Sequence, residues 1–257
     1  MSDENAEALP AAVARLTESD LDSDERRRLL GRVASLTSGG ARRGFRRFAM
    51  GPRAAVTWTL DTLVDIAPHL PVRDLDTLRR HYDGKTGDEL AEALVRNASR
   101  VTAAVGVGGG GLAAVEWVAP PALLTAPVLI AAETVVVVAV EVKLIAELHE
   151  AYGVPIEGPL TERGARLLQA WAQRRGVSLL HAGRGVTTTV LGVGMRRELR
   201  DRLLKRMGRN LTTLGPLLTG AAVAAELNRR ATRKVGEDVR EDLRKRALRR
   251  PQLPPGA

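Results

Sequence analysis

The chain has 257 residues, 44% of them hydrophobic, a formal net charge of +9 and no cysteine. That length can bury a sizeable core, and the missing cysteines exclude disulfides and cysteine-based zinc or redox chemistry. Arginine outnumbers lysine 34 to 5 and only seven residues are aromatic, so phosphate-bearing partners have cations to meet but bases have almost nothing to stack on.

Residues 1–25 carry eight acids (Asp3, Glu4, Glu7, Glu18, Asp20, Asp22, Asp24 and Glu25) against Arg15 alone, and 1–20 reads as an acidic flexible arm. It has neither the basic start nor the apolar stretch of a secretory signal, so no export is expected. From 21 to 84 the pattern predicts N-terminal helices. Asp24 is placed to cap one through Leu29, Leu30, Val33 and Leu36, stopping at Gly39 and Gly40. Pro52 opens another with Val56, Leu60, Leu63 and Ala67 on one face, ended by Pro68 and Pro71.

A longer helical region is expected over 85–250. Thr86 and Glu89 form a capping-box pattern ahead of a helix with Leu90, Leu94, Ala98, Val101 and Val105 inside and Asp88, Glu92, Arg96 and Arg100 outside. Gly108, Gly109, Gly110 and Gly111 follow as a break. Pro120 and Pro121 can start the next helix, and Pro127 either bends it or starts the main run to Tyr152 and Gly153. Lys143, Glu147 and Glu150 give its last turns a wet side, and His149 reads as part of a solvated helix end. Thr161 is placed to cap a helix through Leu167, Leu168 and Trp171, closed by Gly176.

Residues 186–209 pass from apolar to amphipathic. A second apolar patch, Leu211 to Ala225, runs into a basic helix, Asn228 to Arg250, and 251–257 is a Pro-rich tail. No alternating strand pattern occurs. The class is therefore all-α, a multi-helix bundle around a central apolar, Gly/Pro-rich helical hairpin.

The longest uncharged runs, 101–115, 117–132 and 211–225, are 15 or 16 residues, short of the roughly 20 that cross a bilayer. Two readings of 101–140 remain open: a buried core, or a segment that enters a membrane. The candidates for membrane contact are Gly108, Gly109, Gly110, Gly111, Trp117, Leu211, Leu217 and Leu218. Arg229, Arg230, Arg233 and Lys234 are candidates for anionic lipid, each cation near such a surface adding about 1 kcal/mol. The other reading of this helix is a solvated face laced with pairs such as Glu237–Arg240 and Glu241–Lys245.

Reaction chemistry is sparse. Gly106-x-Gly108-x-x-Gly111 has the letters of a dinucleotide fingerprint but follows a helix where that motif needs a strand. Gly84-Lys85-Thr86 lacks the upstream glycine of a P-loop. His69, His81, His149 and His181 form no metal-binding pair. No catalytic residue, metal or cofactor is assigned. Glu133 and Glu141 are the buried-acid candidates, since each interrupts a Val, Ile and Ala run where an ionised carboxylate is costly. Either each reaches an arginine of a neighbouring helix, or it is a raised-pKa carboxylate in a pocket.

The segment ETVVVVAVEVKLIAELHEAYG, Glu133 to Gly153, resembles the central part of the EcsC protein family, with Glu133, Lys143, Leu144, Ile145, Glu147, Tyr152 and Gly153 at matching places. Leu214 to Asn228 is similar to that family's closing motif. Where the family has Asp with proline two positions on, this chain has Glu133 and Val135. The resemblance covers roughly 85–245. It implies association with bacterial membranes and carries no established reaction.

Taken together, these readings give a non-enzymatic, cytoplasmic accessory or scaffold protein, peripheral to the inner membrane and partnered by an anionic membrane surface or a membrane protein complex. Two alternatives stand beside it. One is a soluble enzyme using Glu133 or Glu141, which a cavity lined by these acids would favour and pairing with arginine would end. The other is a basic nucleic-acid-binding helical protein, against which the absence of a recognition module argues. The sequence leaves the oligomeric state open.

Overall fold

The computed structural model describes the backbone over residues 3–37, 52–116, 122–175 and 219–249, and side chains over 8–36, 59–107, 131–175 and 222–246. The described residues form eight α-helices and one 3-10 turn, with no strand among them. The helices are α1 (Asp3–Leu16), α2 (Ser23–Thr37), α3 (Pro52–Ile66), α4 (Leu75–His81), α5 (Gly87–Glu116), α6 (Ala122–Ala151), α7 (Leu160–Arg174) and α8 (Thr219–Arg249). The 3-10 turn, Ala67–His69, follows α3 and holds Pro68.

α5 and α6 each have 30 residues, about 45 Å at 1.5 Å per residue. Gly236 of α8 lies against both Val95 of α5 and Leu144 of α6, whereas Asn228 lies against both Gly106 of α5 and Glu133 of α6, so α5 and α6 run antiparallel as a hairpin. α8 lies along both. Gly106 of α5 meets Ala225 and Asn228, while Gly236 of α8 meets Val95 of α5 and Leu144 of α6. A Cβ on Gly106 would stand 2.9 Å from the Ala225 backbone nitrogen, and one on Gly236 would stand 2.6 Å from Val95 Cγ2. Both distances fall inside ordinary carbon contact. Only glycine lets α8 seat this closely.

α6 is apolar all round, and a helix of that kind has no face to give to water. Every other helix packs against it. Ala131, Ala132 and every residue from Thr134 to Leu148 are buried, more than four turns with no exposed side. The expected inner face of α5 is buried as well, with Glu92, Arg96 and Arg100 outside. The buried-core reading therefore holds for 131–140, and the membrane reading is withdrawn there because those side chains are used inside the protein. The side chains of Gly108, Gly109, Gly110, Gly111, Trp117, Leu211, Leu217 and Leu218 lie outside the described residues.

Several sequence expectations are corrected. The arm over 1–20 is not flexible at 3–16. It is helix α1, with Ala12, Val13 and Leu16 in the core, because its apolar residues outweigh its acids as packing groups. One continuous core joins residues 12 to 243. Gly108 to Gly111 do not break the hairpin. α5 runs through them to Glu116 despite a cost of about 1 kcal/mol per glycine relative to alanine. Asp22, not Asp24, caps α2, its Oδ1 accepting from the backbone nitrogens of Asp24 and Glu25 at 2.8 and 2.7 Å. The Thr86–Glu89 exchange is not made among the described residues. Instead the Thr86 carbonyl accepts from Leu90 N at 3.3 Å, and Gly87 takes φ +52°. α7 starts at Leu160 behind Pro159, with no side-chain cap from Thr161.

The C-terminus of α6 ends as read, at Tyr152 and Gly153. Gly153 has φ +64°, its N–H donates to Glu150 O at 3.0 Å, and Val154 N–H donates to His149 O at 2.9 Å. This is a Schellman cap, and its left-handed residue is the reason for glycine there.

Candidate functional site: the polar side chains of the central helix

Glu133, Glu141, Lys143 and Glu147 project from α6, and each is met by a different neighbour. Glu141 has no exposed surface. Its Oε2 accepts from Trp171 Nε1 at 2.7 Å and from Arg175 Nε at 3.1 Å. Its Oε1 accepts from Thr232 Oγ1 at 2.7 Å and from the other end of the Arg175 guanidinium. Both oxygens are saturated, and the charge is paired with a guanidinium held in a two-pronged grip. The arrangement ties α6 to the end of α7 and to α8. It offers no free lone pair for proton transfer to a substrate, so the arginine-pairing reading holds for Glu141 and the enzyme reading loses that residue.

Glu133 is half-buried and accepts from Asn228 Nδ2 at 2.9 Å. The Asn228 carbonyl in turn accepts from Thr102 Oγ1 at 3.5 Å. This polar layer joins α5, α6 and α8 one turn below Gly106, where the helices come closest.

Lys143 and Glu147 were expected on a wet side and are not. They are 7% and 3% exposed, because the turn after α1 and the segment before α4 close over them. Arg73 grips Glu147 with Nε and Nη2, each at 2.8 Å, and lies 5.6 Å above the Tyr82 ring. Lys143 Nζ donates to Thr17 Oγ1 at 3.3 Å. Burial lowers the pKa of Lys143, with Glu147 acting in the opposite direction. His149, expected at a solvated end, is half-buried with Nδ1 3.0 Å from Val154 O. Burial lowers its pKa too.

The exposed side of α8 is a ladder of pairs. Glu226 holds Arg229 and Arg230 at 2.7 and 2.5 Å, Glu237 holds Arg233 at 2.7 Å and Asp238 holds Lys234 at 3.2 Å. Arg229 and Arg230 keep the Glu226 carboxyl down at about 2. Of the two pairs read from sequence, Glu241–Lys245 forms at 2.6 Å, whereas Glu237 turns to Arg233 and Arg240 approaches Asp88 of α5 at 3.9 Å. Val223 and Leu227, on the same helix, are 48% and 55% exposed, and Val107 of α5 is 49% exposed. Among the described residues, no three or more His, Asp or Glu are grouped to hold a metal ion.

Sequence reasoning found the buried acids but not their partners. Arg175, Thr232, Arg73 and Thr17 carry no local pattern that marks them. The class these features define is an all-helical bundle wrapped around one enclosed, polar-anchored helix. Comparison with protein-family models, curated proteins and solved structures gives no match.

Proposed function

We propose that this chain is a non-enzymatic accessory or scaffold protein that meets an anionic membrane surface peripherally, at the cytoplasmic face of a bacterial inner membrane. The observation that carries this reading is a stripe on α8. Val223, Leu227, Arg230 and Lys234 follow at intervals of four, three and four, which keeps them on one side of the helix. The first two are about half exposed, and the side chains of Arg230 and Lys234 are 74% and 75% exposed. Apolar residues running into solvated cations are what an interfacial helix needs.

Val107 stands at the same level of the bundle, next to Gly106. Both segments continue into uncharged sequence, at 108–115 and 211–222. The pairs that now occupy Arg230 and Lys234 are exposed and hold only a few tenths of a kcal/mol each, so lipid phosphates can take them over at small cost. Among the described residues no helix is long and apolar enough to cross a membrane, and the contact proposed is a shallow one. The resemblance to the EcsC family supports the same reading.

The test is sedimentation of the full chain with phosphatidylglycerol vesicles. Binding should fall as salt rises, weaken about tenfold or more in Arg230→Glu/Lys234→Glu, and be lost in Val223→Asp/Leu227→Asp. Equal binding to neutral vesicles, or indifference to both double variants, would overturn the proposal.

A further inference from the structure

A crevice opens to solvent between α5, α6 and the segment before α4, with Thr17, Arg73, Tyr82, Asn97, Lys143 and Glu147 among its walls. Its inner part is a small cavity of about 20 Å³, open to solvent on one side. A single water needs roughly 10–15 Å³ on this measure, so the inner part takes one or two small polar atoms.

The charges around it do not balance. Arg73 already grips both oxygens of Glu147, and each neutralises the other. Lys143 is left with one neutral acceptor, Thr17 Oγ1, whose own proton goes to Ala14 O at 2.6 Å. An ammonium has three donors, so two N–H groups of a nearly buried lysine have no acceptor among the described residues. Glu18, the other acid whose field reaches Lys143, makes no contact with it and is held by Arg15, which also holds Asp20 and Glu25. Across the crevice the half-buried Asn97 amide has no hydrogen-bond partner among the described residues.

We propose that this crevice binds a compact oxyanion, a carboxylate or phosphate group of a small soluble molecule. One oxygen sits on Lys143 Nζ, a second takes the Asn97 amide, and the rest of the ligand leaves through the open side. A cation is disfavoured because the only acid in the walls is committed to Arg73. Water alone would satisfy the N–H groups but leave the Lys143 ammonium without a contacting anion, which an oxyanion supplies. Burial holds the lysine pKa down, in keeping with a charge that the protein itself leaves uncompensated. None of these residues belongs to the α8 stripe, so this site stands or falls apart from the membrane reading.

The test is calorimetric titration of the full chain with inorganic phosphate and with acetate, against chloride at matched ionic strength, with thermal melts alongside. Wild type should show saturable binding to phosphate or acetate and a rise in Tm beyond that in chloride. Lys143→Met and Asn97→Leu should each weaken binding at least tenfold, and the surface control Lys245→Met should not. Should Lys143→Met fail to fold, the half-exposed Asn97→Leu decides the matter. No saturable response beyond chloride, or equal binding by the folded variants, would overturn the site.

Discussion

Glu141, Lys143 and Glu147 lie within two turns of one helix and are all buried, yet their situations differ. Glu141 is fully matched, so removing it strands a guanidinium and two other donors, Trp171 Nε1 and Thr232 Oγ1. Glu141→Ala should lower stability by about 3–5 kcal/mol, read by urea unfolding, whereas Glu226→Ala on the exposed ladder should leave the urea midpoint essentially unchanged. Lys143 is undermatched. Burial lowers its folded pKa below the ordinary 10.5, opposed by Glu147 and Glu18 and aided by Arg73. Below the folded value both states hold the proton and the burial penalty is fully present. As pH climbs from there toward 10.5, the native state sheds its proton first and stability rises. Lys143→Met lacks this term, so its stability relative to wild type should be highest near neutral pH and should decline as pH approaches 10.5. The burial of Glu141 was legible from its Val and Ala neighbours. Arg175 was not, because it lies 34 residues on, and only the docking of α7 brings it near.

The elements rest on close approaches at single glycines. Gly236→Ala drives a methyl into Val95, and Gly106→Ala drives one into the Ala225 backbone and the Asn228 amide that serves Glu133. Each should destabilise by about 1–3 kcal/mol, although alanine alone favours a helix by about 1 kcal/mol. Gly31, in α2, has nothing within 4 Å of its Cβ position, so Gly31→Ala should stabilise by up to about 1 kcal/mol in the same melts. The inner face of α5 and the stop at Tyr152 and Gly153 were readable because periodicity and a left-handed cap are local signals. Helix α1 was hidden by its acids. The continuity of α5 through four glycines was hidden because propensity argues against it. α4 is seven residues long, with too few apolar positions to show a period, and its cap, Asp74 accepting from Thr77 N at 2.7 Å, is its only clear sequence mark.

At the scale of the whole molecule, one helix is sealed from water on every side over 134–148 while another leaves an apolar-to-basic stripe uncovered. From sequence both read as apolar segments with charges nearby. Only the packing separates them, since enclosure depends on seven helices meeting α6. This moves the proposed lipid contact from the hydrophobic middle of the chain to α8 and the end of the hairpin beside it. The absence of cysteine allows one spin label at a time, as Leu227→Cys on the stripe or Leu160→Cys at the start of α7, where the native leucine is 62% exposed. The most direct measurement is oxygen accessibility of each label by electron paramagnetic resonance, with and without phosphatidylglycerol vesicles. The account predicts a rise in oxygen accessibility at 227 on adding vesicles and none at 160; an unchanged label at 227, or the same rise at both positions, would contradict it.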